Sequence, residues 1–279
     1  MPIFVDDGRK INYQDYGSGP VALLIHGSFG NAGSWERVGQ QLASGYRIIA
    51  PDLPGYGETS PQPSEEVPCA SYAGRLIEKL IDRIGVPSVV AGHSYGGVVA
   101  MNIALKGSIP LRRMVLFEPV AGNILPLAGE MEAFATVKAV FDDYITSFQN
   151  GNPRAVQKVI DFWFGPGAFE RMPRQFAMLL IEQAALNVQD VQATFNECYS
   201  AEAFQLFRFP VDVVIGDRSP DITHRIGQAI ATLTPAGRLC KLAGADHAMI
   251  TRHCDAVAQA IDGKIIVDTS KNSDSAQFY

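Results

Sequence analysis

Five residues, Gly92-His93-Ser94-Tyr95-Gly96, constrain the chain more than any other stretch. An apolar run, Val89-Val90-Ala91, leads into them and a helical one, Val98-Val99-Ala100-Met101, leads out. A serine on so sharp a strand-to-helix turn must adopt strained backbone angles, and glycine at 92 and 96 lets neighbouring chain pass without a Cβ clash. The Ser94 hydroxyl is thereby left exposed, and the helix behind it offers unpaired N–H groups to developing negative charge.

Such a turn belongs in a sheet whose strands alternate with helices, and the chain carries that alternation. Val21–Ile25, Arg47–Ala50, Ser88–Ala91, Met114–Phe117, Val211–Ile215 and Arg238–Leu242 read as strands. Phe4–Val5 and Ile11–Tyr16 form a leading antiparallel pair across an Asp7-Gly8 turn. Helical spacing runs over Trp35–Ala43, Tyr72–Ile84, Val98–Lys106, Ile222–Leu233 and Ala256–Ile261. At 279 residues and 47% hydrophobic, one core domain with an insertion is expected. The insertion is helical, with amphipathic stretches at Phe134–Phe148, Ala155–Phe164 and Gln175–Leu186. The expected division is a core over 1–119 and 209–268, a helical cap over 120–208 after the sixth strand, and a frayed polar tail over 269–279.

Two further segments carry chemistry. His26-Gly27-Ser28-Phe29-Gly30 directly follows the strand Val21–Ile25, and its Gly-rich turn can aim the Ser28 N–H, together with that of Tyr95, at the oxyanion of a tetrahedral intermediate. His26 at the strand end is read as a loop-orienting group. Gly244-Ala245-Asp246-His247 follows the last strand, where a loop histidine can reach back over the sheet's carboxyl edge to take the Ser94 proton. His93, His224 and His253 are more simply packing or surface residues, and Asp246 a loop residue.

In order along the chain, the His26-Gly27 turn, Asp52-Leu53-Pro54-Gly55-Tyr56-Gly57, the elbow at Ser94 and the terminal Gly-x-Asp-His resemble the α/β-hydrolase superfamily over nearly the whole length. The resemblance implies a mostly parallel eight-stranded sheet flanked by helices, and a cofactor-free serine hydrolase with Ser94 as nucleophile and His247 as general base. Asp52 and Gly57 then shape the sheet's edge. The family's acid usually follows the seventh strand, about three residues beyond a Gly, yet Ser219 stands at that spot in Val214-Ile215-Gly216-Asp217-Arg218-Ser219-Pro220-Asp221. Glu118, in Phe117-Glu118-Pro119 after the sixth strand, is similar in placement to the triad acid of some haloalkane dehalogenases and of zearalenone lactonases. Asp217 and Asp221 remain alternatives, each needing a shifted loop.

Aromatic residues in the cap, among them Phe134, Phe141, Tyr144, Phe148, Phe162, Trp163, Phe164, Phe169 and Phe176, imply an apolar pocket suited to a medium-sized hydrophobic ester or lactone. A carbon–carbon bond hydrolase, a perhydrolase or a non-catalytic ligand receptor could use the same residues. With 23 Lys and Arg against 29 Asp and Glu, the formal charge of −6 disfavours a nucleic-acid partner. The start of the chain lacks a basic stretch followed by a long apolar run, and no run of about 18 apolar residues occurs, so the expectation is a cytoplasmic protein without a membrane partner. Four widely spaced cysteines, Cys69, Cys198, Cys240 and Cys254, read as reduced buried thiols rather than a disulfide or zinc framework. No metal or organic cofactor is expected, and oligomeric state is left open.

Overall fold

The computed structural model describes residues 2–63 and 66–264; the tail expected over 269–279 lies outside the described residues. Strands β1 (Ile3–Asp6), β2 (Arg9–Gly17), β3 (Val21–Ile25), β4 (Arg47–Pro51), β5 (Val89–His93), β6 (Met114–Phe117), β7 (Val211–Gly216) and β8 (Gly237–Leu242) form one sheet in the order β1-β2-β4-β3-β5-β6-β7-β8. β2 pairs antiparallel with both β1 and β4, and the remaining neighbours are parallel.

The helices are α1 (Glu36–Leu42), α2 (Ala70–Ile84), α3 (Tyr95–Lys106), α4 (Met131–Gln149), α5 (Gln157–Phe164), α6 (Arg174–Glu182), α7 (Ala184–Asn196), α8 (Ala201–Phe204), α9 (Asp221–Leu233), α10 (Met249–Arg252) and α11 (Cys254–Ile261). The central strands read as unbroken apolar runs because both of their faces are covered. Along β3, Leu23 and Ile25 join a core with Leu76 of α2, Val98 of α3 and Ile226 of α9, while Ala22 and Leu24 join a second core with Val38 of α1 and Val257 of α11. The sheet separates the two cores, as the two-residue alternation of a strand requires. Apolar residues at 76, 77, 80, 81 and 84 give α2 its buried stripe, and Gly85, at φ +93, ends it.

Strand expectations hold to within two residues at each end. The largest shifts are at β2, which spans Arg9–Gly17, and at β5, which begins at Val89 and runs through Gly92 and His93, pairing with Leu116 and Phe117 of β6. Between β6 and β7 lie a 3-10 turn (Gly122–Ala128) and helices α4 to α8, with no strand. One expectation there is corrected: Gln175–Leu186 is not a single helix, because the chain breaks at Gln183 between α6 and α7, and α7 continues to Asn196. The continuation escaped the apolar pattern because its inward face carries Asn187, Asp190 and Thr194. The cysteine reading is corrected too. Only Cys240 and Cys254 are buried; Cys69 is half-buried and Cys198 exposed.

Parallel register brings the carboxyl ends of β5 to β8 to one edge, with His93 opposite Phe117, Phe117 opposite Val214, and Gly216 opposite Leu242. Everything that leaves those ends therefore meets in one crevice.

Candidate active site

Ser94 leaves β5 at φ +54 and ψ −121 and caps α3. Its N–H donates to the Phe117 carbonyl (3.0 Å), so the elbow is pinned to the next strand. The turn is tight enough that a Cβ on Gly96 would stand 2.3 Å from the carbonyl oxygens of both Ile25 and His26. Of the four non-glycine residues in the left-handed region among those described, Phe29, Ser94 and Glu118 all lie at this edge. Strain collects where side chains must be aimed against backbone preference.

Ser94, Glu118 and His247 are all buried. Ser94 Oγ lies 3.1 Å from His247 Nε2, and His247 Nδ1 lies 2.8 Å from Glu118 Oε2. An ionised carboxylate only accepts, so Nδ1 carries the ring proton and Nε2 is left to accept from the Ser94 hydroxyl. Burial by itself would push the Glu118 carboxyl up. Hydrogen bonding and charge from His247, with further bonds from Ser219 and the Gly216 N–H, outweigh it and hold the carboxyl below its ordinary value. Glu118 Oε1 accepts from Gly216 N–H at 2.8 Å and from the Ser219 hydroxyl. Ser219, at the spot where a carboxylate was expected, thus supports a carboxylate on the neighbouring strand.

The structure does not bring the alternative acids to the histidine. Asp217 is exposed and accepts the Gly244 N–H (2.7 Å), and exposed Asp221 pairs with Arg225 (2.6 Å). Asp246 accepts the Ala248 N–H (2.9 Å) and pairs with Arg252 (2.7 Å), holding the turn that presents His247. His224 sits within α9 and His253 between α10 and α11.

Two other histidines brace the crevice. His93 donates from Nε2 to the His247 carbonyl (2.8 Å), and burial beside the His247 ring pushes its pKa down to about 3. His26 donates from Nδ1 to the Gly27 carbonyl (2.7 Å) and accepts the Leu53 N–H (2.9 Å) at Nε2; burial lowers its pKa to about 4. Both rings are neutral at pH 7 and act as loop ties. Buried Asp52 accepts from Asn12 (2.6 Å) and from the Ala32 N–H (2.7 Å), fixing the loop after β4.

The turn carrying Ser28 runs hard against the elbow: a Cβ on Gly27 would stand 2.8 Å from Ser94 Cβ. Tyr95 opens α3, so its N–H has no intrahelical acceptor. Ser28, Ser94, Tyr95 and His247 line one cavity of about 270 Å³. Of the cap aromatics, Phe141, Trp163 and Phe164 line it, as does Phe195. Tyr144 and Phe169 are fully buried core, and Phe176 is exposed on α6. Trp163 lies flat on the His247 ring, with centroids 5.1 Å apart and planes 12° apart, and Phe164 meets the same ring edge-on. Sequence reading missed Asn187, Asp190 and Thr194, which also line the cavity from α7. Their spacing of three and four residues was the available signal. Among the described residues no cluster of three His, Cys, Asp or Glu could hold a metal ion, and no helix is long and apolar enough to cross a membrane.

The family model described as Alpha/beta hydrolase family matches residues 22–260. An uncharacterized protein of Mycobacterium tuberculosis is 38% identical over 113 residues, 39% of this chain and 32% of that protein. Protein phosphatase methylesterase 1 of Bos taurus is 31% identical over 128 residues, 44% of this chain and 34% of that protein. The chain spans about a third of the length of these curated relatives. The solved structure of Est816, described as an N-acyl homoserine lactone degrading enzyme, superposes with a TM-score of 0.72 at 18% identity, over 95% of this chain and 100% of that one.

Proposed function

The chain belongs to the alpha/beta hydrolase family, and on that footing we propose that it is a serine hydrolase cleaving a medium-sized hydrophobic carboxylic ester or lactone through an acyl-enzyme. The observation that carries this reading is the unbroken line from Ser94 Oγ through His247 to Glu118, at 3.1 and 2.8 Å. His247 Nε2 takes the Ser94 proton as Oγ bonds to the substrate carbonyl carbon. The carbonyl oxygen becomes an oxyanion facing the N–H groups of Ser28 and Tyr95, each worth about 3 to 4 kcal/mol of barrier in comparable sites. Glu118 steadies the imidazolium, which returns its proton to the leaving alkoxide as the C–O bond breaks. Water then gives a proton to His247 and bonds to the acyl carbon; the bond to Ser94 Oγ breaks, and His247 returns that proton to Oγ as the acid leaves.

The substrate class follows from the cavity. Its walls are mostly apolar, and about 270 Å³ sits just below the range of roughly 300–1,000 Å³ typical of drug-sized ligands. A compact acyl group fits such a space. The stacked Trp163 excludes water from one face of His247 and offers its π-cloud to the imidazolium, an interaction of about 0.5 to 2 kcal/mol. Ester and lactone chemistry also appears in the descriptions of the Bos taurus methylesterase and of Est816.

The test is treatment of the purified protein with a fluorophosphonate ester, followed by peptide mass spectrometry on wild type, Ser94→Ala and His247→Ala. Rapid labelling confined to Ser94 and dependent on His247 is expected. A folded wild type that stays unlabelled overturns the reading and points to ligand binding instead.

A further inference from the structure

One helix supplies three polar residues to the cavity wall. Asn187, Asp190 and Thr194 recur at helical spacing on α7 and face the cavity together, with Val191 between them. Two of the three have local duties. Thr194 donates its hydroxyl to the Asp190 carbonyl (2.9 Å), and Asp190 Oδ2 accepts from both Ser28 Oγ and Tyr56 OH, each at 2.6 Å. Asn187 has none at its oxygen: the residue is 3% exposed, lines the cavity, and its Oδ1 is buried with no hydrogen-bond partner. Buried acceptors are normally paired, so an unpartnered one in a cavity wall calls for a donor.

Resting on the ester or lactone hydrolysis proposed above, we infer that the substrate carries a hydroxyl group on its acyl part, received by Asn187 Oδ1 beside the Asp190 carboxylate. The Asn187 oxygen only accepts, so the ligand group that meets it must donate. A hydroxyl also tolerates either orientation of the Asn187 amide, since it can donate to the oxygen or accept from the nitrogen. A substrate carboxylate carries no proton at neutral pH and has nothing to donate to the Asn187 oxygen. An ammonium group would find a weak counter-ion, because Oδ2 is already bonded twice and burial raises the Asp190 pKa to about 7. Ser28 ties the subsite to the acyl side in this reading, since its hydroxyl donates to Asp190 and its N–H is the group assigned above to the oxyanion.

The experiment compares kcat/KM for ethyl hexanoate with that for ethyl 3-, 5- and 6-hydroxyhexanoate, with acid release followed by a pH indicator and the ratio read within each protein. Wild type is expected to favour at least one hydroxy isomer by about tenfold or more. Asn187→Leu should bring that ratio near one, and Asn187→Asp, which keeps an acceptor of the same shape, should retain it. Should the leucine variant fail to fold by circular dichroism, Asn187→Ala replaces it. The inference is overturned if wild type favours no hydroxy isomer, or if Asn187→Leu or Asn187→Ala keeps the preference. Labelling of Ser94 by the fluorophosphonate with none of the four esters hydrolysed overturns it as well, because the compact hydroxyacyl group is then wrong. Absence of labelling removes the hydrolase reading, and this inference with it.

Discussion

Replacing Glu118 by glutamine tests the candidate site most directly, because the structure dictates how the amide must sit. Glu118 Oε1 accepts from the Gly216 N–H and the Ser219 hydroxyl, so the glutamine oxygen must stay there; turning the amide would set NH₂ against the Gly216 N–H. The amide nitrogen then faces His247 Nδ1, 2.8 Å away in the parent contact. It donates, Nδ1 must accept, and the ring proton moves to Nε2, where it can no longer receive the Ser94 proton. Loss of the right tautomer and of the stabilised imidazolium lowers kcat by about 10³- to 10⁴-fold in comparable triads, or about 4 to 5 kcal/mol at 1.36 kcal/mol per tenfold. The assay is turnover of an activated hydrophobic ester, with circular dichroism confirming the fold. Asp217→Asn is the matched control: its oxygen still accepts the Gly244 N–H, and turnover should stay within about threefold. Retention of more than a tenth of wild-type turnover by Glu118→Gln, or an equal loss in Asp217→Asn, refutes the assignment of Glu118.

Two more predictions concern stability. Gly96→Ala drives a Cβ to 2.3 Å from two carbonyl oxygens, and should cost about 3 kcal/mol or more, lowering the thermal midpoint by about 6 to 12 °C; an unchanged midpoint in a thermal melt contradicts that packing. Asp190 has its pKa raised by burial from 3.8 to about 7, so between those values the unfolded chain has lost a proton that the folded one keeps, and stability falls as pH rises through that window. Asp190→Asn removes this burden while its oxygen still accepts from Ser28 and Tyr56, so in urea titrations its stability relative to wild type should grow by about 3 kcal/mol from pH 4.5 to pH 8; a difference independent of pH speaks against a buried, largely protonated carboxyl.

Much of the fold was legible because its signals are local. Val21–Ile25 and Met114–Phe117 are strands to the residue, since four or five apolar side chains in a row between turns suit a strand buried on both faces. The elbow at Ser94 could be read from its neighbours, because the strain of the turn and the glycines that relieve it lie within five residues. α7 was read short for the opposite reason. A helix that lines a cavity turns polar groups inward, so Asn187, Asp190 and Thr194 look like solvent-facing residues until the cavity they face is seen.

By itself the sequence determined the alternation of strands and helices, the serine on its strand-to-helix turn and the histidine loop after the last strand, each of which depends on residues close together in the chain. Only the tertiary structure shows that Glu118, and neither Asp217 nor Asp221, lies beside His247. That placement rests on a contact across 129 residues and on partners for the carboxylate from another strand, Gly216 N–H and the Ser219 hydroxyl. A carboxylate beside a histidine is a matter of distance in space, and spacing along the chain carries no measure of it until parallel pairing brings the ends of β6, β7 and β8 to one edge.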